Sequence, residues 1–319
     1  MPNSSIAVIA DFESPRDGIG DLPAFATKYI TEILGHAGIP FDLLDPDAIP
    51  SDLDGYTVAL LPRNSKFTLD QNMALVKFVD DGGTVIGTAG TCDLDGLFGV
   101  ESLGPMTEGY IKPPKSSNPI TGAITREVHV FGGSRVRADY GNSLSFLEVN
   151  DGSVFDGVIE NRHGRGRAIL FAFDLVTTIA HLQMGHPLVP VPPREAINAS
   201  AGTVLDKDRD RDRIEIKDHD DLYYPTTKRG PDGLVEYNQE LYLHPMADDI
   251  KGMLLRAIFH AHAKAQKELP MLWYWPRGKQ SIAHMSHDSD GQRVSQAWSL
   301  YHILDELGVQ TTWCTMPVD

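Results

Sequence analysis

The tightest constraint on this chain is one local pattern that recurs near its start: a short, largely apolar run alternating with an amphipathic stretch that ends in glycine. The apolar runs are Ile6-Ala7-Val8-Ile9-Ala10, Tyr56-Thr57-Val58-Ala59-Leu60-Leu61-Pro62 and Thr84-Val85-Ile86-Gly87-Thr88-Ala89-Gly90. Each has the length of a strand buried on both faces. Between them, Asp21 and Pro23 open a helix with Phe25, Ile30, Ile33, Leu34 and Ala37 near a 3.6 period, closed by Gly38. Phe41 to Leu44 reads as a further strand. Thr68-Leu69-Asp70-Gln71 has the spacing of a capping box, Leu75, Val76 and Val79 stripe the helix behind it, and Gly82-Gly83 ends it. Strands that alternate with amphipathic helices imply βαβ units, hence an α/β fold with a parallel sheet and helices on both faces.

From Gly96 to Asn150 the pattern loosens into Gly-, Pro- and Ser-rich stretches with short β-like runs such as Glu127 to Phe131. Order returns at His163-Gly164-Arg165-Gly166-Arg167, a turn into the strand Ala168 to Phe173. Helices are expected near Thr177 to Gln183 and over Asp248 to Ala265, where Ile250, Met253, Leu254, Ala257, Ile258 and Ala261 share a face. A length of 319 residues suits about two domains. Lys+Arg 28 against Asp+Glu 44 leaves a net charge of −16. Such a surface repels a phosphate backbone, so no nucleic-acid partner is expected. Two cysteines, Cys92 and Cys314, make no disulfide framework. The opening residues carry neither the basic start and long apolar stretch of an export signal nor a membrane span of about twenty apolar residues. The sequence therefore reads as soluble and cytoplasmic.

Two features that invite functional readings do not sustain them. Asp206 to Asp221 carries eight acids and five bases, but neither register of its Asp-x-Asp-x-Asp start places Gly and Glu where a calcium loop needs them. It is read as a solvated, self-neutralising excursion. His260 and His262 are two apart on a helix, and His181 and His186 five apart, so neither pair shares a face well enough to ligate a metal.

Residues 1–265 resemble the class I glutamine amidotransferase-like fold, in the non-catalytic form attached to carbohydrate-active enzymes. The resemblance rests on Tyr56 to Pro62, on Phe78-Val79-Asp80-Asp81-Gly82-Gly83, and on Gly164-Arg165-Gly166-Arg167 before Phe171-Ala172-Phe173-Asp174. It implies a flavodoxin-like sheet. It does not bring the glutaminase chemistry with it. Cys92 follows a strand, but the Gly-x-Cys-x-Gly elbow is missing, Asp93 disfavours a thiolate, and no late His-x-Glu pair appears. Asp11, Asp93 and Asp174 each follow a strand end, where open α/β sheets bind ligands; helix capping is the competing reading.

The richest segment begins at Leu272. Trp273, Tyr274 and Trp275 form an aromatic cluster suited to interdomain packing or to stacking on sugars. Ser281 to His287 reads as a strand, with His284, Ser286, Asp288 and Asp290 projecting to one side. A helix with Val294, Ala297, Trp298, Tyr301 and Leu304 at helical spacing follows, then Gly308 and a strand over Val309 to Cys314. Ser286-His287-Asp288-Ser289-Asp290-Gly291, Leu304-Asp305-Glu306-Leu307-Gly308-Val309 and Thr311-Thr312-Trp313 together resemble the opening of the polysaccharide deacetylase (NodB-homology) domain of carbohydrate esterase family four. The resemblance implies Asp288 as catalytic base and Asp290 as ligand of a divalent metal, zinc above others. Ser289 separates residues that the family keeps adjacent, so the two roles could be exchanged; turn and capping roles are the structural alternative.

These readings set the following expectations. Residues 1–265 form the amidotransferase-like domain with its charged excursion at 206–221, 266–280 a connector, and 281–319 the first βαβ of a deacetylase barrel. Only 29 residues follow Asp290, and the family's remaining ligands are not among them, so the chain reads as an N-terminal fragment that is itself inactive. The expected function is metal-dependent deacetylation of a polysaccharide. The alternative is a non-catalytic carbohydrate-associated binding or oligomerisation module. A carbohydrate substrate and a second copy of the chain are the candidate partners.

Overall fold

The structure is a computed structural model that describes residues 4–10, 23–49, 53–184, 245–273, 275, 278–281, 283–288 and 293–314. It divides into two compact units, Met1–Met271 and Leu272–Asp319.

The first unit carries strands β1 Ile6–Ile9, β2 Asp42–Leu44, β3 Val58–Leu61, β4 Thr84–Thr88, β5 Val100–Pro105, β6 Glu108–Ile111, β7 Val128–Phe131, β8 Ser134–Ala138, β9 Asn142–Val149, β10 Val154–His163 and β11 Gly166–Phe171. Its helices are α1 Pro23–His36, α2 Leu69–Asp80, α3 Asp95–Phe98, α4 Leu175–Met184 and α5 Met246–Ala265. Nine strands form one sheet in the order β2-β1-β3-β4-β11-β10-β9-β6-β7, while β5 and β8 pair separately.

The α/β class is as expected, but the sheet is not the uniformly parallel, flavodoxin-like one. β2, β1, β3, β4 and β11 run parallel. From β11 outward every pairing is antiparallel, through β10, β9, β6 and β7. The change of sense comes from the turn at Gly164, which folds β10 back onto β11 as a hairpin closed by His163 opposite Gly166.

Alternation along the parallel strands sends successive residues into two cores. On one face Ile6, Val8, Val58, Leu60, Ile86, Ile169 and Phe171 pack with Ile30 and Leu34 of α1, Val176 and Ile179 of α4, and the Ile250–Ala261 stripe of α5. On the other, Ala7, Ile9, Ala59, Leu61, Val85, Ala168 and Leu170 meet Leu75 and Val79 of α2 and Leu97 and Phe98 of α3. Helices therefore cover both faces. The capping box of α2 forms as its sequence predicts: the Gln71 amide donates to Thr68 Oγ1 (3.3 Å) and the Thr68 amide to Gln71 Oε1 (2.8 Å). At the end of α2 the hairpin presses against the helix, and a Cβ on Gly166 would sit 2.1 Å from the Gly83 carbonyl oxygen. Only glycine fits there.

The second unit holds β12 Ser286–Asp288, α6 Val294–Glu306 and β13 Thr312–Cys314. The two strands are parallel, with Ser286, His287 and Asp288 opposite Thr312, Trp313 and Cys314. The strand expected from Ser281 is three residues long, and the described residues of the second unit contain one βαβ unit. Among the described residues no helix is long and apolar enough to cross a membrane.

Candidate active site

Open α/β sheets present their ligand positions beyond the carboxyl ends of parallel strands. In the first unit that edge is built by the segment after β4. Ala89, Cys92 and Asp93 all have positive φ, at 68°, 54° and 61°. Side-chain residues in that conformation cost of order 1–3 kcal/mol each, so surrounding contacts must enforce it. They do: the Ala89 amide donates to Phe171 and Phe173 carbonyls, Ser134 Oγ donates to the Ala89 carbonyl, and the Cys92 amide donates to Asn64 Oδ1 (2.8 Å). The Cys92 thiol faces inward, buried in the core of the α2–α3 face with Sγ 3.5 Å from the Arg63 carbonyl. It is a packed core residue.

The three aspartates proposed for this edge separate. Asp93 is exposed. Asp174 caps α4, its Oδ1 accepting from the Thr177 amide (2.9 Å) and its Oδ2 from the Thr177 hydroxyl (2.8 Å). Burial holds its carboxyl above the usual carboxylate range, against the opposing pull of the Thr177 bonds and the Arg63 charge. Asp11 lies outside the described residues.

Sequence reasoning missed a buried ionisable pair in the antiparallel half. His129 Nε2 lies 2.6 Å from Glu108 Oε1, and Asn150 Nδ2 donates to Glu108 Oε2 (2.5 Å). The His129 ring stacks on Tyr110 and tilts against Phe131, which meets His181 edge-on. The available signal was a histidine and a glutamate inside otherwise apolar strands. His260 and His262, set aside as metal ligands from their spacing, are also in the core: His260 bonds Glu160, and His262 lies 2.9 Å from Ser5 Oγ and 3.0 Å from the Ile258 carbonyl, while His186 lies outside the described residues.

In the second unit the alternation expected around Asp288 is present. His287 and Trp313, opposite each other, point to one face and meet edge-on at 4.7 Å. Ser286, Asp288, Thr312 and Cys314 occupy the other parity and are exposed. His284 Nε2 lies 3.1 Å from Thr312 Oγ1 at the same two strands. Asp288 is a strand residue at the carboxyl end of the parallel pair; α6 starts later, with the Arg293 amide donating to Gln296 Oε1 (3.0 Å). Asp290 and Tyr274 lie outside the described residues, as does the charged run 206–221. Trp273 is 64% exposed and its indole N–H donates to the Lys279 carbonyl (2.7 Å), which leaves the ring presented to solvent. Among the described residues no three His, Cys, Asp or Glu side chains come together to hold a metal ion. They do not by themselves fit the expected zinc site.

No protein-family model matches the chain, and no curated protein does. Solved structures similar to it include the β-galactosidase from Bacillus circulans sp. alkalophilus, at 14% identity over 58% of this chain and 33% of that one, TM-score 0.44. An exo-β-1,4-mannosidase from Opitutaceae bacterium strain TAV5 matches at 14% identity over 55% and 32%, TM-score 0.41. A cytoplasmic protein from Salmonella typhimurium LT2 matches at 13% identity over 53% and 87%, TM-score 0.43. The chain spans about a third of the length of the first β-galactosidase. These findings correct two expectations. The amidotransferase-like and deacetylase resemblances give way, since no family model matches and the similar structures with a stated activity named above are a β-galactosidase and a mannosidase. With them goes the expected function, both as polysaccharide deacetylase and as an amidotransferase-like binding or oligomerisation module. The physical counterpart is a sheet that is antiparallel over its second half, whereas the buried, core-packed Cys92 agrees with the expectation that it is no nucleophile.

Proposed function

We propose that this chain is a carbohydrate-active hydrolase whose proton-accepting group is Asp288. The observation that carries the reading is the position of that carboxylate: exposed, at the carboxyl end of a parallel strand pair, on the polar face shared with Ser286 and Thr312. A carboxylate so placed can take the proton of a water attacking a bond to a sugar, while the sugar-linked oxygen leaves with a proton from solvent. The substrate class follows from the same unit. Trp273 offers a flat, solvent-facing indole fixed by its own hydrogen bond, a surface suited to the apolar face of a pyranose. The β-galactosidases and the mannosidase act on carbohydrates by their names, and the proposal agrees with them without resting on them. Asp290 is proposed as ligand for a divalent metal, zinc above others; no step is routed through it, because the described residues supply no ligand cluster.

Titration of the chain with β-linked oligosaccharides, followed by tryptophan fluorescence, tests the substrate class. The proposal expects saturable quenching that Trp273→Ala weakens about tenfold or more. Titrations without a response across galactans, mannans, glucans and chitin oligomers would remove carbohydrate as the ligand. Metal analysis of the purified chain tests zinc, with Asp290→Ala expected to lower its content.

A further inference from the structure

Past Ala261 the apolar stripe of α5 is spent. In the last turn the buried side chain is His262, 2% exposed, while Ala263 and Lys264 are exposed and Ala265 is half-buried. Apolar burial therefore contributes little to holding this turn on the sheet, and a polar contact takes its place. His262 Nε2 lies 2.9 Å from Ser5 Oγ, and Nδ1 lies 3.0 Å from the Ile258 carbonyl. A carbonyl only accepts, so Nδ1 carries the hydrogen and Nε2 accepts from the Ser5 hydroxyl. Both bonds belong to the neutral ring. Ser5, directly before β1, is fixed in turn: its carbonyl accepts from the Thr57 amide (2.7 Å) and the Val58 amide (3.2 Å). The His262 carbonyl accepts from the Lys267 amide (3.0 Å), in the turn where Gln266 at φ +55° ends the helix.

We propose that His262 and Ser5 form an acid-released latch: it holds the last turn of α5 against the head of β1 near neutral pH and opens when the imidazole takes up a proton. The two partners of the ring, a hydroxyl and a carbonyl, carry no charge to balance an imidazolium, and a buried ion without a counter-ion is costly. Burial already holds the ring below the usual histidine range, against the pull of the Ile258 carbonyl. The charged and titratable groups on neighbouring elements are engaged elsewhere. Glu160 of β10 bonds Arg167 of β11 and meets His260. Asp42 of β2 accepts from the Ser4 amide and the Tyr56 hydroxyl, both at 3.1 Å. His129 of β7 lies at the opposite end of α5, its amide donating to Met246 Sδ, and His181 of α4 meets the Phe131 ring. Lys264, Lys267 and Glu268 at the helix end are exposed.

A base with a depressed folded pKa stabilises above its unfolded value, and that contribution declines as pH falls below about 6.5. The latch therefore opens in weak acid, above the range in which Glu160 loses its charge, and the stripe from Ile250 to Ala261 stays docked. Opening lengthens the tether between α5 and Leu272, where the second unit begins.

Hydrogen exchange of the intact chain, read on peptides by mass spectrometry and corrected for the chemical exchange rate at each pH, tests the proposal. Between about pH 7.5 and about pH 5.5, protection of the last turn of α5 should fall severalfold, with a ceiling of about tenfold for one histidine of ordinary pKa near 6.5. Protection of α2 should stay unchanged. His262→Gln, whose amide can still reach Ser5, should abolish the response. Ser5→Asp supplies a carboxylate for the imidazolium and should also abolish it. Should the glutamine variant fail to fold, the wild-type His262 ring resonances serve instead, and they should titrate in step with the loss of protection. Protection that does not change with pH, a fall that survives His262→Gln, a ring that titrates while the turn stays protected, or a loss spread over the whole first unit would each overturn the proposal.

Discussion

Replacing Glu160 by glutamine should loosen α5 from the sheet. One carboxylate oxygen of Glu160, on β10, accepts from Arg167 Nη1 (2.9 Å) on β11 and lies 2.8 Å from His260 Nε2 on α5. The three side chains are 15%, 21% and 7% exposed, so solvent screens them little. Burial alone would raise the Glu160 pKa, but the hydrogen bonds and charges of His260 and Arg167 outweigh it and hold the carboxyl below its usual range. Glutamine keeps the size and removes the charge, leaving Arg167 and His260 without their anion, at a cost of about 2–3 kcal/mol. At about 2–4 °C per kcal/mol for a domain of this size, the melting temperature should fall by about 5–10 °C. Scanning calorimetry at neutral pH reads that shift. The pH dependence supplies a second test. A carboxyl with a depressed folded pKa stabilises above its unfolded pKa, and the stabilisation disappears as pH falls through the folded value. The gap between wild type and E160Q should therefore be full at neutral pH and close in acid. A shift under about 1 °C at neutral pH, or a gap independent of pH, would refute the reasoning.

Two further substitutions probe the first unit. Gly133→Ala places a Cβ 2.2 Å from the Ala172 carbonyl oxygen at a φ of +107°, so chemical denaturation should report a loss of about 3 kcal/mol or more. Asp174→Asn should be neutral or stabilising at neutral pH: burial raises the folded pKa of this carboxyl, so its ionisation costs stability as pH rises through the usual range, while asparagine still caps α4. A destabilisation of more than about 1 kcal/mol would show that the charge is needed.

The parallel half of the sheet was legible because its central strands are buried on both faces and so read as largely apolar runs, as in Val58–Leu61 and Thr84–Thr88. The antiparallel half was not. Its strands alternate or carry polar residues, and Glu108, His129 and Asn150 satisfy one another only across strands far apart in sequence. Nothing local announces such a network. The same physics explains why the motifs suggested families that the comparisons did not support. Gly164-Arg165-Gly166 is what a tight hairpin over the end of α2 demands, and Leu307-Gly308, with Gly308 at φ +63°, is an ordinary helix terminus. Sequences that solve the same local packing problem share these patterns whatever their chemistry. Asp288 was readable as a strand-end residue from the period of two.

The central claim is that Asp288 accepts the proton in hydrolysis of a carbohydrate bond, and the most direct measurement compares the intact chain with Asp288→Asn on a panel of polysaccharides and chromogenic glycosides. The account predicts measurable product release that falls about 100-fold or more in the variant while saccharide binding by fluorescence is retained. Equal release by both proteins, or none by either where saccharide binds, would contradict it.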